Sequence, residues 1–228
     1  MRRSGFAVAF MLACLFFDIG EPVAATKGGQ DTATVVFVSP KAVRYDHGKG
    51  RPKDLQVGEF IHTGDRLKTD EDGKVRMVLV DGSDFELWHG SDVEMVNLDE
   101  SGAGGSELAL QAGTLRADVK KLADGKILLI RTGSEIAAVR GTQYQLSTDR
   151  SRTELQVLRG VVDLGSAAGG AAVSVSAGMK AVSVHGRVST AVQMNRNEVE
   201  RLRAAFRDMV AEDRQAYRQR VDDLRRRR

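Results

Sequence analysis

The chain has almost no cysteine and little proline. Its 228 residues hold one cysteine, Cys14, and three prolines, Pro22, Pro40 and Pro52. Cys14 lies in a segment that reads as removable, so the exported remainder has neither a disulfide nor a cysteine-held metal to rely on. From Lys53 to Arg228 no proline interrupts backbone pairing. Aromatic residues make up 5% of the chain, too few for the stacking platforms of single-strand nucleic-acid binders. No apolar run reaches the roughly 20 residues that span a bilayer, which excludes an integral membrane body. At 42% hydrophobic and 29% charged, the composition also excludes wholesale disorder.

The N-terminus carries an export signature. Arg2 and Arg3 precede an unbroken apolar stretch from Phe6 to Phe17, and Val23-Ala24-Ala25 offers small residues for cleavage before Thr26. That order predicts a cleavable signal peptide over residues 1–25. The mature protein is then periplasmic or secreted, with no transmembrane anchor. Leu15-Phe16-Phe17 continue the apolar core past Cys14, which argues against a lipid anchor there.

Charge is unevenly placed. Residues 194–228 hold 11 arginines against 7 acidic residues, whereas residues 26–193 hold 21 basic and 22 acidic ones. The positive excess therefore belongs to the tail, which ends in Arg225-Arg226-Arg227-Arg228.

Between signal and tail the apolar pattern has period two. Val75, Met77 and Leu79 alternate with Lys74, Arg76 and Val78; Leu115, Ala117 and Val119 alternate with Arg116 and Asp118. Tyr144 and Leu146, Leu155 and Val157, and Val173 and Val175 continue the pattern. Successive side chains of a strand point to opposite faces, so each segment has one apolar and one wet face. Asp72-Gly73, Asp81-Gly82, Asp124-Gly125 and the Gly102–Gly105 stretch punctuate these strands as turns. An echo recurs in 108–115, 155–162 and 173–182: apolar alternation, a glycine, then apolar alternation. A glycine that lets the backbone bend between short strands suits the corners of a rolled sheet. The expectation is a mainly β fold, a β-solenoid-like roll of short strands with a C-terminal amphipathic α-helix.

In the tail the period changes. Val199, Leu202, Phe206, Met209 or Val210, Tyr217, Val221 and Leu224 recur every three or four residues, or at multiples of that step, giving one apolar stripe on a helix. Asn197 is placed to cap it, with Glu200 completing the capping box. This helix is expected to pack on the open end of the β body with its arginine face solvated; the alternative is a basic arm against an anionic surface.

No catalytic constellation emerges. His47, His62, His89 and His185 share no ligand spacing, and there is no Gly-x-Ser-x-Gly elbow or phosphate loop. Asp70, Asp72, Asp81 and Asp84 cluster, but turn geometry accounts for acidic residues before glycine better than calcium does. Asp118 and Asp163 are a carboxylate pair only if the fold joins them. No cofactor, metal site or enzymatic activity is expected.

Several stretches form a recognisable combination: Val57 to Thr69, including Gly64-Asp65; Gly73 to Ser83, including Asp81-Gly82; and Ser91-Asp-Val-Glu-Met95. Further on come Leu110-Gln-Ala-Gly113-Thr-Leu115, Ile130 to Tyr144 with Arg140-Gly141-Thr142, and Leu155 to Val162 with Gly160. Together these resemble the FecR domain, the periplasmic domain of ferric-citrate-type signalling regulators. The resemblance runs from about Val57 to Val184, departing at Gly133, where the family has proline, and at Tyr144, where it has phenylalanine. It implies a β-solenoid-like fold and periplasmic recognition. The family's regulators carry an anti-sigma segment and a transmembrane helix ahead of this domain. An export signal stands in that place here, so direct control of a sigma factor is not expected.

The resulting plan is a signal peptide (1–25), an N-terminal strand region and linker (26–56), a FecR-like β domain (57–193) and an Arg-rich helix (194–228). The function expected is non-catalytic recognition of an envelope protein partner or ligand in sensing, with cell-wall or anionic-surface contact through the basic helix and no nucleic acid. The alternative is a self-associating or cell-wall-associated structural protein. Gly64, Asp65, Thr69, Asp81, Gly82, Gly113, Arg140, Gly141, Thr142 and Gly160 are the motif residues, read as architectural.

Overall fold

The computed structural model describes residues 33–209 apart from 40, 80, 99–104, 122–126 and 150. The export segment, the Asp124-Gly125 turn and the terminal arginines lie outside the described residues. Eighteen strands occur among those described. They begin with β1 (Ala33–Ser39), β2 (Ala42–Tyr45), β3 (Lys53–Asp54), β4 (Phe60–Ile61), β5 (Arg66–Thr69) and β6 (Lys74–Leu79). Next come β7 (Asp84–Leu87), β8 (Asp92–Asn97), β9 (Glu107–Asp118), β10 (Leu128–Arg131), β11 (Glu135–Val139) and β12 (Gln143–Thr148). The series ends with β13 (Arg152–Arg159), β14 (Val161–Ser166), β15 (Val173–Ser176), β16 (Met179–Val184), β17 (Arg187–Val188) and β18 (Val192–Gln193). The mainly β expectation is met.

The strands pair as two open sheets joined through one strand. Sheet I runs β4-β1-β6-β7-β9-β12-β13-β16, with β17 and β18 on the far side of β16. Sheet II runs β3-β2-β5-β8-β9-β10-β11-β14-β15. Every pairing is antiparallel except β9 with β10. Strand β9 belongs to both: Glu107 to Ala112 pair in sheet II, and Gly113 to Asp118 pair in sheet I.

Alternation then fills the space between the sheets. Met77, Phe85, Leu115, Tyr144 and Leu155 come from sheet I, and Leu67, Met95, Leu110, Ile130 and Val162 from sheet II, all in one buried cluster. Burying each such side chain contributes about 1.5–3 kcal/mol, which makes this core the main source of stability in a domain without a disulfide.

The three echo glycines all mark passages from one sheet to the other. Gly113 bends β9 at φ 95°, Gly160 separates β13 from β14 at φ 84°, and Gly178 precedes β16 at φ 80°. At Gly113 the space is closed as well: a Cβ there would lie 2.4 Å from the Ser91 Cα. At Gly160 it would lie 2.6 Å from Thr142 Cγ2. Left-handed backbone and close approach together leave only glycine at these corners.

The C-terminal helix, α1, spans 196–209 among the described residues. Its cap is Asn195 rather than Asn197. Asn195 Oδ1 accepts from the Glu198 N–H at 2.9 Å, and Glu198 Oε2 accepts from the Asn195 N–H at 2.8 Å. Both asparagines are followed three residues on by glutamate. Only the earlier register puts an apolar pair, Met194 and Val199, on either side of the cap, and these two share one apolar cluster. The hydrophobic staple decides the register. The helix also lies across the outer face of sheet I rather than on its open end, as its partners Leu158, Lys180 and Arg76 show.

Tyr144 is fully buried, its hydroxyl has no hydrogen-bond partner, and burial pushes its pKa up. An unpaired buried hydroxyl costs about 1–3 kcal/mol. Tyr144→Phe is expected to leave stability unchanged or raise it by about 1 kcal/mol, measured by urea unfolding.

Candidate functional site

The outer face of sheet I should by its alternation be a wet face, yet its centre is buried. Register places Arg76, Glu86, Arg116, Gln145, Gln156 and Lys180 in one row across β6, β7, β9, β12, β13 and β16. At about 4.8 Å between strands this row is about 24 Å long. The fourteen described residues of α1, at about 1.5 Å each, cover about 21 Å, enough to cross most of the row.

The helix meets the row through two polar contacts among the described residues. Near its start, Glu198 accepts a hydrogen bond from Lys180 Nζ, which holds its carboxyl below the ordinary range. At the other end of the row Arg76 donates to the Met209 carbonyl oxygen. Between these anchors the apolar cluster of Met194, Leu202, Phe206 and Met209 packs against Val199 and Leu158.

Beneath the helix the members of the row also bond to one another laterally. Arg76 Nε donates to Asp84 Oδ1 at 2.7 Å, and Arg116 donates to Glu86 at 2.9 Å and to Gln145 at 2.8 Å. Asp84 and Asp118 face each other directly, but Arg76 holds the first while Arg159 and Gln143 hold the second at 2.9 and 2.8 Å. Glu86 is only 1% exposed and is bracketed by Arg116, by Lys74 at 4.0 Å and by the Trp88 indole N–H. The Arg116 guanidinium lies 3.7 Å from the Trp88 ring centroid, a cation–π stack that roofs the pair. Sequence reading put Arg76 and Arg116 on the wet faces of their strands. The Asp81-Gly82 hairpin between β6 and β7 would have placed Arg76 opposite Glu86, but no local signal places β9 beside β7.

The motif residues fall at four separate stations, not at one site. Gly64 (φ 89°) precedes Asp65, whose carboxylate accepts from the His47 and His62 backbone N–H groups at 3.0 Å each. Thr69 donates to the Trp88 carbonyl and accepts from Ser91 N–H; the Ser91 hydroxyl in turn accepts from Thr114 N–H, beside Gly113. Asp81 accepts from the Ser83 N–H and hydroxyl at 2.7 and 3.0 Å, with Gly82 (φ 77°) at the hairpin tip. Gly141 (φ 64°), Thr142 and Gly160 pack together at one corner, with Arg140 exposed beside them. Asp118 lies on sheet I and Asp163 on sheet II, so the fold does not join that pair.

A second buried carboxylate escaped the sequence reading. Glu135, 3% exposed, accepts from the hydroxyls of Thr132 at 2.5 Å, Thr153 at 2.6 Å and Ser183 at 2.6 Å. Burial pushes its pKa up, but these hydroxyls and the Gly186 N–H outweigh that and hold it below the ordinary range. It clasps β11, β13 and β16 together, linking sheet II to sheet I.

The family model FecR, "FecR protein", matches residues 65–163, from the turn before β5 into β14. Two crystal structures of a candidate anti-sigma factor from Parabacteroides distasonis, at 1.65 and 2.50 Å, are similar in fold, with TM-scores of 0.50 and 0.51. Identity is 13% and 12%, and the likeness covers 59% of this chain and 62% of that protein's chain. The chain thus spans less than two thirds of that protein's length, and at such identity the likeness is one of fold. No curated protein matches the chain.

Two predictions test the buried charges. Arg116→Met alone strands Glu86 and is expected to cost about 3–5 kcal/mol in urea unfolding, more than Arg116→Met combined with Glu86→Leu. For Glu135, a lowered folded pKa means its contribution is full above the unfolded value, about 4.3, and is lost as pH falls through the folded one. Glu135→Gln should cost about 1–3 kcal/mol at pH 7 and flatten the loss of stability on acidification below about pH 4.3.

Proposed function

We propose that this chain, whose residues 65–163 match the FecR family model, is a non-catalytic exported regulator that binds an envelope protein partner in signal transduction across the periplasm. The family match carries this reading. The fold shared with a candidate anti-sigma factor is in keeping with a signalling role, and the signal-peptide pattern over residues 1–25 supports export. Among the described residues no helix is long and apolar enough to cross a membrane.

The motif residues belong to the architecture in this reading. Gly64, Gly82, Gly113, Gly141 and Gly160 supply left-handed corners, while Asp65, Thr69, Asp81 and Thr142 occupy the turns they shape, with Arg140 beside one of them. Glycine corners recurring between short strands also support describing the body as solenoid-like. The domain plan follows: an export segment over 1–25, a linking region over 26–56, the FecR-like body over 57–193 and the basic helix over 194–228.

Recognition falls to the broad faces of the sheets, since the turn residues are consumed in holding the corners. The test is crosslinking of the full-length chain in its own envelope fraction, followed by capture and identification of what it holds. A single receptor, transporter or membrane regulator, recovered stoichiometrically, is the expected result. Recovery of only further copies of the chain or of cell-wall fragments would sink the regulatory reading.

A further inference from the structure

We propose that β15 is an open edge that receives a second copy of this chain, which adds its own β15 antiparallel and joins sheet II of the two copies into one continuous sheet. The proposal goes beyond the regulatory reading and does not depend on it.

The first observation is how differently the sheet edges are finished. A strand edge with free N–H and C=O groups invites pairing, while short length, charge or a bulge discourages it. Among the described residues β4, β17 and β18 are two residues each, and β3, also two, consists of Lys53 and Asp54. β4 covers β1 at Ala33 and Thr34, and beyond them the β1 ladder is broken by a bulge between Val35 and Phe37. β15 has none of these devices. Its four residues keep an unbroken register with β14, and no other described strand pairs with it. No charged residue lies between Asp163 and Lys180.

The second observation selects the occupant. In an antiparallel pair about a twofold axis through Val175, Val175 meets its copy, Ser174 meets Ser176, and Val173 meets Ala177. Val175 is buried in the main core and Val173 packs half-buried against it, while Ser174 and Ser176 are exposed on the outer face. Apolar side chains thus continue the core across the junction, and hydroxyls face hydroxyls outside, both favourable cross-strand pairs. A register one residue off would turn the second copy's valines to the wet face.

Electrostatics permits the same pairing. Asp163 sits one strand back, where it accepts from the Ser174 hydroxyl. Three strand spacings, about 14 Å, then separate it from its copy, more than the Debye length of about 8 Å at physiological salt. Like charges therefore do not oppose the junction.

Sedimentation of the full-length chain over a range of concentrations is the test. A reversible dimer with a midpoint of about 10–500 µM is expected, since four residue pairs bury far less than the roughly 1,600 Å² of a standard interface. Ser176→Lys, at an exposed position, should raise that midpoint at least tenfold and leave urea unfolding of the dilute monomer unchanged. Register is read by disulfide capture in a Cys14→Ser background. An oxidised mixture of Ser174→Cys and Ser176→Cys chains should give the mixed crosslink in at least fivefold excess over either like-with-like one. Directly opposed residues lie about 4.5–5.5 Å apart, within the roughly 4.4–6.8 Å that a disulfide spans.

A chain that stays monomeric at about 1 mM, a dimer indifferent to Ser176→Lys, or capture in another register would overturn the proposal. Crosslinking from position 176 to an extended segment of another protein, in place of the dimer, would overturn the second copy as occupant. A dimer without a captured envelope partner leaves this proposal standing and the regulatory reading fallen; a captured partner with a chain that stays monomeric does the reverse.

Discussion

One strand holds the architecture together. β9 runs through both sheets, pairing with β8 and β10 in one and with β7 and β12 in the other. It turns between them at Gly113, where the backbone needs φ 95° and Ser91 leaves no room for a side chain. The Ser91 hydroxyl binds Thr114 N–H, and Ser91 N–H reaches Thr69. The corner is thus closed sterically and by hydrogen bonds, and its angle sets how the two inner faces meet around a shared core. Without it there would be two half-buried sheets, each with an apolar side to cover.

Charge is used differently on the inside and on the covered outer face. Apart from the Glu135 clasp, the core between the sheets is mostly apolar, and Tyr144 contributes the hydroxyl that this apolar cluster leaves unpaired among the described residues. Under α1 the row is ionic, and each member has a lateral neighbour one strand away. Antiparallel pairing makes this economical, because opposite residues on one face are within reach of each other. The same residues unpaired at such burial would cost several kcal/mol each. Glu135 follows another solution: three hydroxyls with one backbone N–H supply the compensation.

Among the described residues the helix meets the sheet through Lys180 with Glu198, through Arg76 with the Met209 carbonyl, and through Leu158, the sheet residue that joins its apolar cluster. These contacts fix the helix's direction across six strands, and they combine charge, a backbone hydrogen bond and apolar packing.

What the sequence by itself determined was local and periodic. Alternation in 74–79, 115–119, 143–148 and 153–157 marked strands and their inner residues, because a pleated chain shows its two faces at every second residue. The glycine echo marked corners, since positive φ and close approach both exclude a side chain. Even the correct helix cap was legible, as Met194 and Val199 flank Asn195 at the spacing of a staple; reading the first glutamate partner for Asn197 overlooked them. Tertiary structure alone decided what lies opposite what. The row from Arg76 to Lys180 joins residues over a hundred positions apart, and only the register of six strands brings them into line. Likewise Glu135 meets Ser183, and α1 finds a face instead of an end, through contacts that leave no periodic trace in either segment.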